Sequence, residues 1–374
     1  MSSVQRFRHA MVLALALLIL AGAASAQVRQ EIRIPDIMGY KTLKCDFHMH
    51  TVFSDGSVWP TVRVDEAWRE GLDAISITDH IEYQPHKADI PTNHNRPYEI
   101  ALSRAKQRGI LLVRGTEITR ETPPGHFNAI FLKDIEPLDT EDLLDCMEAA
   151  HKQWAFIFWN HPGWKPDRKG WFDIHTTLYK KKYLRGIEVV NGSTYYPEAH
   201  EWALEKDLVM LGTSDIHGPS MIEQTTPENH RSMTLVFATA RNIEALQDAI
   251  EAGRTAIWYE DKVIGRRRYL ESLLQEAMQI GDIEHGDDHV RFSIRNDSDL
   301  PITLERVGEA GPGTLTLPAA AMARVTVKTE NEEEPVKLTY RAGNFLIAPD
   351  TGLPVELIIA RQADIDVPAK VAED

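Results

Sequence analysis

Residues 43–56 read LKCDFHMHTVFSDG. The run LKCDF suits a buried strand, and His48 and His50 follow it directly, one residue apart. On an extended chain, residues two apart project to the same side, so the two imidazoles can face one ion together. The C-terminal end of a strand is also where α/β barrels carry their chemistry. Working outward, further predicted strands end in Thr78-Asp79-His80, Gly115-Thr116-Glu117 and Asn160-His161-Pro162. Another ends in Ser214-Asp215-Ile216-His217, again with two ligand-type side chains at i and i+2. One histidine at a strand end is more often a hydrogen-bonded structural residue than a ligand. Repetition of His, Asp and Glu at the same end of strand after strand points to a metal centre.

The surrounding pattern supports a barrel. From about Leu43 to Tyr259 the apolar runs LKCDF, AISIT, ILLVR, FNAIFL, AFIFW, GIEVV, LVMLG, MTLVFA and AIWY predict strands. Between several of them, PTVRVDEAWREG, PYEIALSRAKQRG, TEDLLDCMEAAHKQ, YPEAHEWALEKD and NIEALQDAIEAG carry helix-spaced apolar residues. Such alternation predicts βα units. No glycine-rich phosphate fingerprint follows the first strand, which favours an α/β barrel over a dinucleotide-binding sheet. Beyond Tyr259 the helical stretch GRRRYLESLLQEAMQ leads into short alternating segments that predict a small all-β sandwich. The expected layout is a leader at 1–26, an extension at 27–42, the barrel at 43–262, a helical linker at 263–284, the sandwich at 285–363 and a tail at 364–374.

Arg6 and Arg8 precede the apolar run MVLALALLILAG, and Ala24-Ser25-Ala26 follows it. This reads as a cleavable Sec-type signal peptide, which predicts a periplasmic or secreted enzyme with no membrane span after cleavage. Its removal deletes two Arg and no acid, moving the net charge from −15 to −17. So acidic a chain is a poor binder of long nucleic acid, which needs clustered Lys and Arg. Cys45 and Cys146 are the only cysteines, too few for a disulfide scaffold, and both read as small core residues.

Taken in order, HMHTVFSDG, SITDH, GTE, GHFNA, NHP and SDIH resemble the motifs of the PHP (polymerase and histidinol phosphatase) family over about His48 to Tyr259. The resemblance implies a distorted (β/α)7 TIM-like barrel with a trinuclear metal centre. Its ligands carry over onto His48, His50, Asp55, His80, Glu117, His126, His161, Asp215 and His217, none of them substituted. By similarity His48, His50, Glu117 and Asp215 hold one ion, and Glu117 bridges to a second held by His126 and His161. Asp55, His80 and His217 hold the third. Two or three divalent ions are expected, and mixed imidazole and carboxylate ligands suit Zn, Mn or Fe alike.

The implied reaction is phosphoester hydrolysis without a Ser or Cys nucleophile, a metal-bridged water ionising near neutral pH to attack phosphorus. Glu117, Asp215 and His217 are the residues expected to sit nearest the chemistry. Arg120, Lys165 and Arg231 are candidates for holding the substrate phosphate. Trp59, Tyr83 and Trp164 could line a wall for the leaving group, and Asp79 reads as a carboxylate orienting an imidazole. His86, His94, His151, His175, His200 and His230 fit no ligand pattern. Export favours small phosphomonoesters or short diesters, nucleotides included, over histidinol phosphate. An amidohydrolase, which also opens with H-x-H on a barrel strand, is the rival enzyme; a non-catalytic metal-dependent binding module is the rival of another class.

Overall fold

The computed structural model describes residues 28–90, 93–329 and 335–360. The leader and the C-terminal tail lie outside these residues. The first eleven strands are β1 (Lys41–Asp46), β2 (Ala74–Ile77), β3 (Leu111–Ile118), β4 (Phe127–Ile130), β5 (Phe156–Trp159), β6 (Leu184–Asn191), β7 (Thr194–Tyr195), β8 (Val209–Thr213), β9 (Met233–Ala238), β10 (Thr255–Tyr259) and β11 (Lys262–Gly265). Helices α1 (Pro60–Arg69), α2 (Arg96–Arg108), α3 (Leu143–His151), α4 (Asp173–Lys180), α5 (Pro197–Glu205), α6 (Ile243–Glu251) and α7 (Arg267–Ala277) accompany them. All nine predicted strands are present. Helix starts follow local chemistry: Pro60 opens α1, while Asp142 caps α3 by accepting from the amides of Leu144 and Asp145. Helix α4 (DIHTTLYK), which buries only His175 and Leu178, was not among the predicted helices.

The sheet is mixed rather than uniformly parallel. β1 pairs parallel with β2, and β2 with β3, but β1 pairs antiparallel with β9, and β3–β4 and β4–β5 are also antiparallel. The sheet curls strongly. No ladder among the described residues joins β8 to β9 or β10; side chains span the gap instead. Thr234 Oγ1 accepts from the Gly212 amide at 3.0 Å and donates to its carbonyl at 2.8 Å, and Thr255 Oγ1 donates to Met210 O. A Cβ on Gly212 would stand 2.3 Å from Ile257 Cγ2, so this crossing requires glycine. Past the strand ends the chain meets again, with Asp215 N donating to His48 O and His50 N to Ile216 O.

The remaining strands are β12 (Met278–Gly286), β13 (His289–Asn296), β14 (Ile302–Arg306), β15 (Thr314–Leu317), β16 (Met322–Lys328), β17 (Val336–Ala348) and β18 (Thr351–Ile359). β12-β13-β16 form one sheet, and β14, β15, β17 and β18 the facing one. The expected helical linker is shorter than read: the helix ends at Ala277 and residues 278–284 are already strand. The second domain is not a loose appendage either. β11 pairs parallel with β17 through Val263↔Phe345 and Ile264↔Leu346, so one sheet runs through both domains. A single apolar cluster likewise includes Val64, Leu72 and Leu235 of the first domain with Phe292, Leu304 and Tyr340 of the second. Among the described residues no helix is long and apolar enough to cross a membrane.

Candidate metal centre

Beyond Asp46 the chain stays extended, so Met49 points into the core while His48 and His50 share the other side. Their Nε2 atoms are 3.1 Å apart. Glu117 Oε2 lies 3.1 Å from His48 Nε2 and 3.2 Å from His50 Nε2; Asp215 Oδ1 lies 3.2 and 3.1 Å from the same two atoms. The neighbours fix the tautomers. Glu188 Oε1 faces His48 Nδ1 at 2.7 Å, so that nitrogen carries the hydrogen. Ser54 donates to Asp79 Oδ1 at 2.6 Å, which leaves its oxygen to accept from His50 Nδ1 at 3.3 Å. Both Nε2 atoms therefore present lone pairs to each other and to two carboxylate oxygens. Four such atoms repel unless protons or a cation sit among them, and a tetrahedral ion with bonds of about 2.0–2.1 Å spaces its ligands by about 3.3 Å. Asp215 Oδ1 and Asp55 Oδ1 are buried with no hydrogen-bond partner. The residues fit a bound ion.

The other expected ligands join the same cluster. Glu117 Oε1 faces His126 Nδ1 at 2.8 Å and His161 Nε2 at 3.5 Å and accepts from Asn160 Nδ2 at 3.1 Å. Asp55 Oδ1 is 3.2 Å from His217 Nε2, and its Oδ2 is 3.5 Å from His80 Nε2. Four overlapping groups have ligand atoms within binding reach of one another: His50, Asp55, His80 and His217; His48, His50 and Glu117; His48, His161 and Asp215; His80, Glu117 and His126. His50 and His80 thus belong to more than one group, where the family pattern divides them cleanly. Burial opposes charge and prevails at His126, whose imidazole it lowers, but opposite charges outweigh it at His50, Glu117, Asp55 and Asp215. Asp215 and Glu117 hold His50 up at about 9, while the imidazoles hold Glu117, Asp55 and Asp215 well below the usual carboxylate range. Divalent cations would take the place of the protons the imidazoles otherwise keep.

The supporting residues were mostly hidden in the sequence. Glu188 on β6 is fully buried and accepts from His161 N, Thr213 Oγ1 and Asn191 Nδ2 besides facing His48. Its one signal was an acid inside the apolar run GIEVV. Arg63 on α1 is buried and donates to the carbonyls of His50, Ile216, His217 and Gly218, tying the two i, i+2 ligand pairs together. Asp79 reaches an imidazole as expected, but that of His50 through Ser54; it also accepts from Thr51 N and Oγ1. Gly56 is needed because a Cβ there would lie 2.6 Å from the backbone of His50 and Thr51. His161 (φ 28°) and Asp215 (φ 51°) occupy the left-handed region despite their side chains. Such backbone costs on the order of 1–3 kcal/mol and persists where its surroundings over-determine it.

Arg231 is corrected. It is buried behind the ligands, with Nε 2.7 Å from Glu70 Oε2 and Nη1 3.0 Å from Asp46 Oδ2, and cannot reach a substrate. Asp46 in turn accepts from the amides of His48 and Ser214 and from the Ser214 hydroxyl, so Arg231 braces the ligand loops. Arg120 is bound to Glu82 and to the carbonyls of Thr119 and Thr140, and Lys165 to Glu121 at 3.2 Å. His175 is structural, accepting from Phe172 N and contacting Pro124 O in the loop before His126.

A family profile described as an Ig-like domain matches residues 279–358. No curated protein matches the chain. Among solved structures, a two-domain protein from Bacteroides vulgatus, containing a predicted PHP-like metal-dependent phosphoesterase, is 44% identical with a TM-score of 0.85; the match covers 89% of this chain and all of that one. An amidohydrolase from Chromobacterium violaceum is 17% identical at a TM-score of 0.38, covering 47% of this chain and 88% of that one. An endonuclease Q complex is 14% identical at 0.40, covering 60% of each chain. The first, whose whole length this chain spans at 44% identity, shows that the chain belongs to the PHP-like metal-dependent phosphoesterases, joined to a C-terminal Ig-like domain.

Proposed function

We propose that this protein is an exported hydrolase of small phosphomonoesters or short phosphodiesters, and that its curled sheet is a distorted (β/α)7 barrel built around two or three divalent ions of Zn, Mn or Fe. The convergence of His48, His50, Glu117 and Asp215, with five ligand-atom distances of 3.1–3.2 Å, carries the reading. The remaining ligands assigned are Asp55, His80, His126, His161 and His217. When bound, the ions supply an activated water and neutralise the oxygens of the phosphoryl group. The chain's own part is to hold lone pairs in place. Glu188 and the Asp79–Ser54 pair set the His48 and His50 tautomers, Glu117 spans two ligand groups through its two oxygens, and Arg63 and Arg231 lock the loops. The two cysteines are buried, so neither offers a nucleophile.

A panel of phosphoesters, lactones and amides, tested on purified protein loaded with Mn, Fe or Zn, checks this reading. Chelator-sensitive turnover of phosphoesters alone is the expected result; turnover confined to amides or lactones would sink it. Export is checked separately by fractionating the native host, where a cytosolic location overturns it.

A further inference from the structure

The metal floor is polar, but the loops leaving it end in exposed apolar side chains. Trp59 and Met221 stand four residues beyond Asp55 and His217; Tyr83 and Trp164 stand three beyond His80 and His161. All four are exposed, Tyr83 by 52% and Trp164 by 56%. The last two touch the ligands directly. Trp164 lies 5.6 Å, centroid to centroid, from both His126 and His161, Tyr83 lies 5.9 Å from His80, and His80 lies 5.8 Å from His126. Tyr83 and Trp164 therefore border, from its two ends, the group formed by His80, Glu117 and His126. A phosphoryl group held there would place its alcohol between two aromatic surfaces.

Arg120 is bonded to Glu82 and two carbonyls, Lys165 to Glu121, and Arg231 is buried behind the site. Arg120 and Arg231 are thus held by carboxylates, while Lys165, paired with exposed Glu121, also stands 5.2 Å from the centre of the Trp164 ring. Exposed rings favour a planar partner, because stacking needs only a π-face.

We propose that Tyr83 and Trp164 form a ring-binding rim that selects phosphoesters whose alcohol carries a planar ring. This rests on the phosphoesterase reading of the same site, so the test separates the two. Calorimetry on the metal-loaded full chain compares 2-naphthylmethylphosphonate with hydroxymethylphosphonate, which share the anionic head. The aromatic phosphonate should bind at least about tenfold more tightly, a factor typical of one good aromatic contact. Trp164→Ala should remove most of that preference at unchanged metal content, and Trp164→Phe should keep it. Equal affinities, failure of the aromatic phosphonate to bind, or a preference untouched by Trp164→Ala would overturn the rim. Turnover of 2-naphthylmethyl phosphate is scored independently: none, with the binding preference intact, upholds the rim and rejects the hydrolase, whereas turnover with equal affinities rejects the rim alone.

Discussion

Glu188 Oε1 lies 2.7 Å from Nδ1 of His48, both side chains wholly buried, and this contact turns the opposite nitrogen of His48 toward Glu117 and Asp215. A carboxylate behind a ligand imidazole fixes its tautomer and raises its basicity. Glu188 also receives three other donors, from His161, Thr213 and Asn191, so its charge is fully used. Glu188→Gln should therefore weaken metal binding by about 10–100-fold. Metal titration followed by elemental analysis checks this, and wild-type affinity in the variant would remove Glu188 from the support of the site.

Glu117 places one oxygen among His48 and His50 and the other beside His126 and His161. A neutral amide supplies neither the charge nor two equivalent lone-pair sets. Glu117→Gln should lower turnover by several orders of magnitude, on the order of the loss of a shared metal carboxylate. Asp55→Asn should do less and be partly rescued by excess metal, since Asp55 sits with His50, His80 and His217 at one side of the cluster. Near-normal kcat for Glu117→Gln at full metal content would refute the bridging role.

Arg63 joins His50 to the 216–218 loop through four carbonyls, with Glu66 as its counter-ion at 2.7 Å. Arg63→Lys keeps the charge but not the fork geometry. The expected outcome is a folded protein that retains less metal than the wild type, read by comparing melting temperature with metal stoichiometry. A variant with full stoichiometry would show that the guanidinium only stabilises the fold.

His175 and His200 are buried, and burial lowers both to about 4. Their folded values lie below the unfolded value of 6.5, so the stability linked to keeping them neutral is fully present above that pH. It is lost as pH falls from about 6.5 to about 4, because the unfolded chain takes up protons that the native one refuses. Each contributes about 3 kcal/mol at most across that window. His175→Gln, which can still accept from Phe172 and donate to Pro124, should reduce the slope of unfolding free energy against pH by about one proton there. An unchanged slope in denaturant titrations from pH 7 to 4 contradicts this.

The C-terminal domain shares a sheet with the first through Val263↔Phe345 and Ile264↔Leu346, and Asn344 binds the carbonyls of Asp261 and Pro301. Ending the chain at Ala277 would bare one edge of β11 and half of a common apolar cluster. Such a fragment should lose cooperative unfolding or aggregate, as exposed edges and large apolar patches do. A soluble fragment melting near the full chain would show that the two domains are energetically separate.

His48 and His50 could be brought together from the sequence because extended chain alternates, the spacing i, i+2 putting two side chains on one side. Asp215 and His217 reach the same cluster by another route, since Asp215 leaves the extended region at φ 51°. The nine strands were legible, each being a short apolar run bounded by turns. Helix α4 was not, being only eight residues long with just His175 and Leu178 buried. Nor was the sense of β4 and β9, because an antiparallel strand in a buried sheet has the same composition as a parallel one. The supporting shell was least visible. Arg63, Glu188 and Asp46 are separated from groups they hold by up to 155, 140 and 185 residues. Arg231 read as a free cation near the substrate because charge can be counted along a chain. Its burial between Asp46 and Glu70 is set by which strands become neighbours, and that is decided by packing.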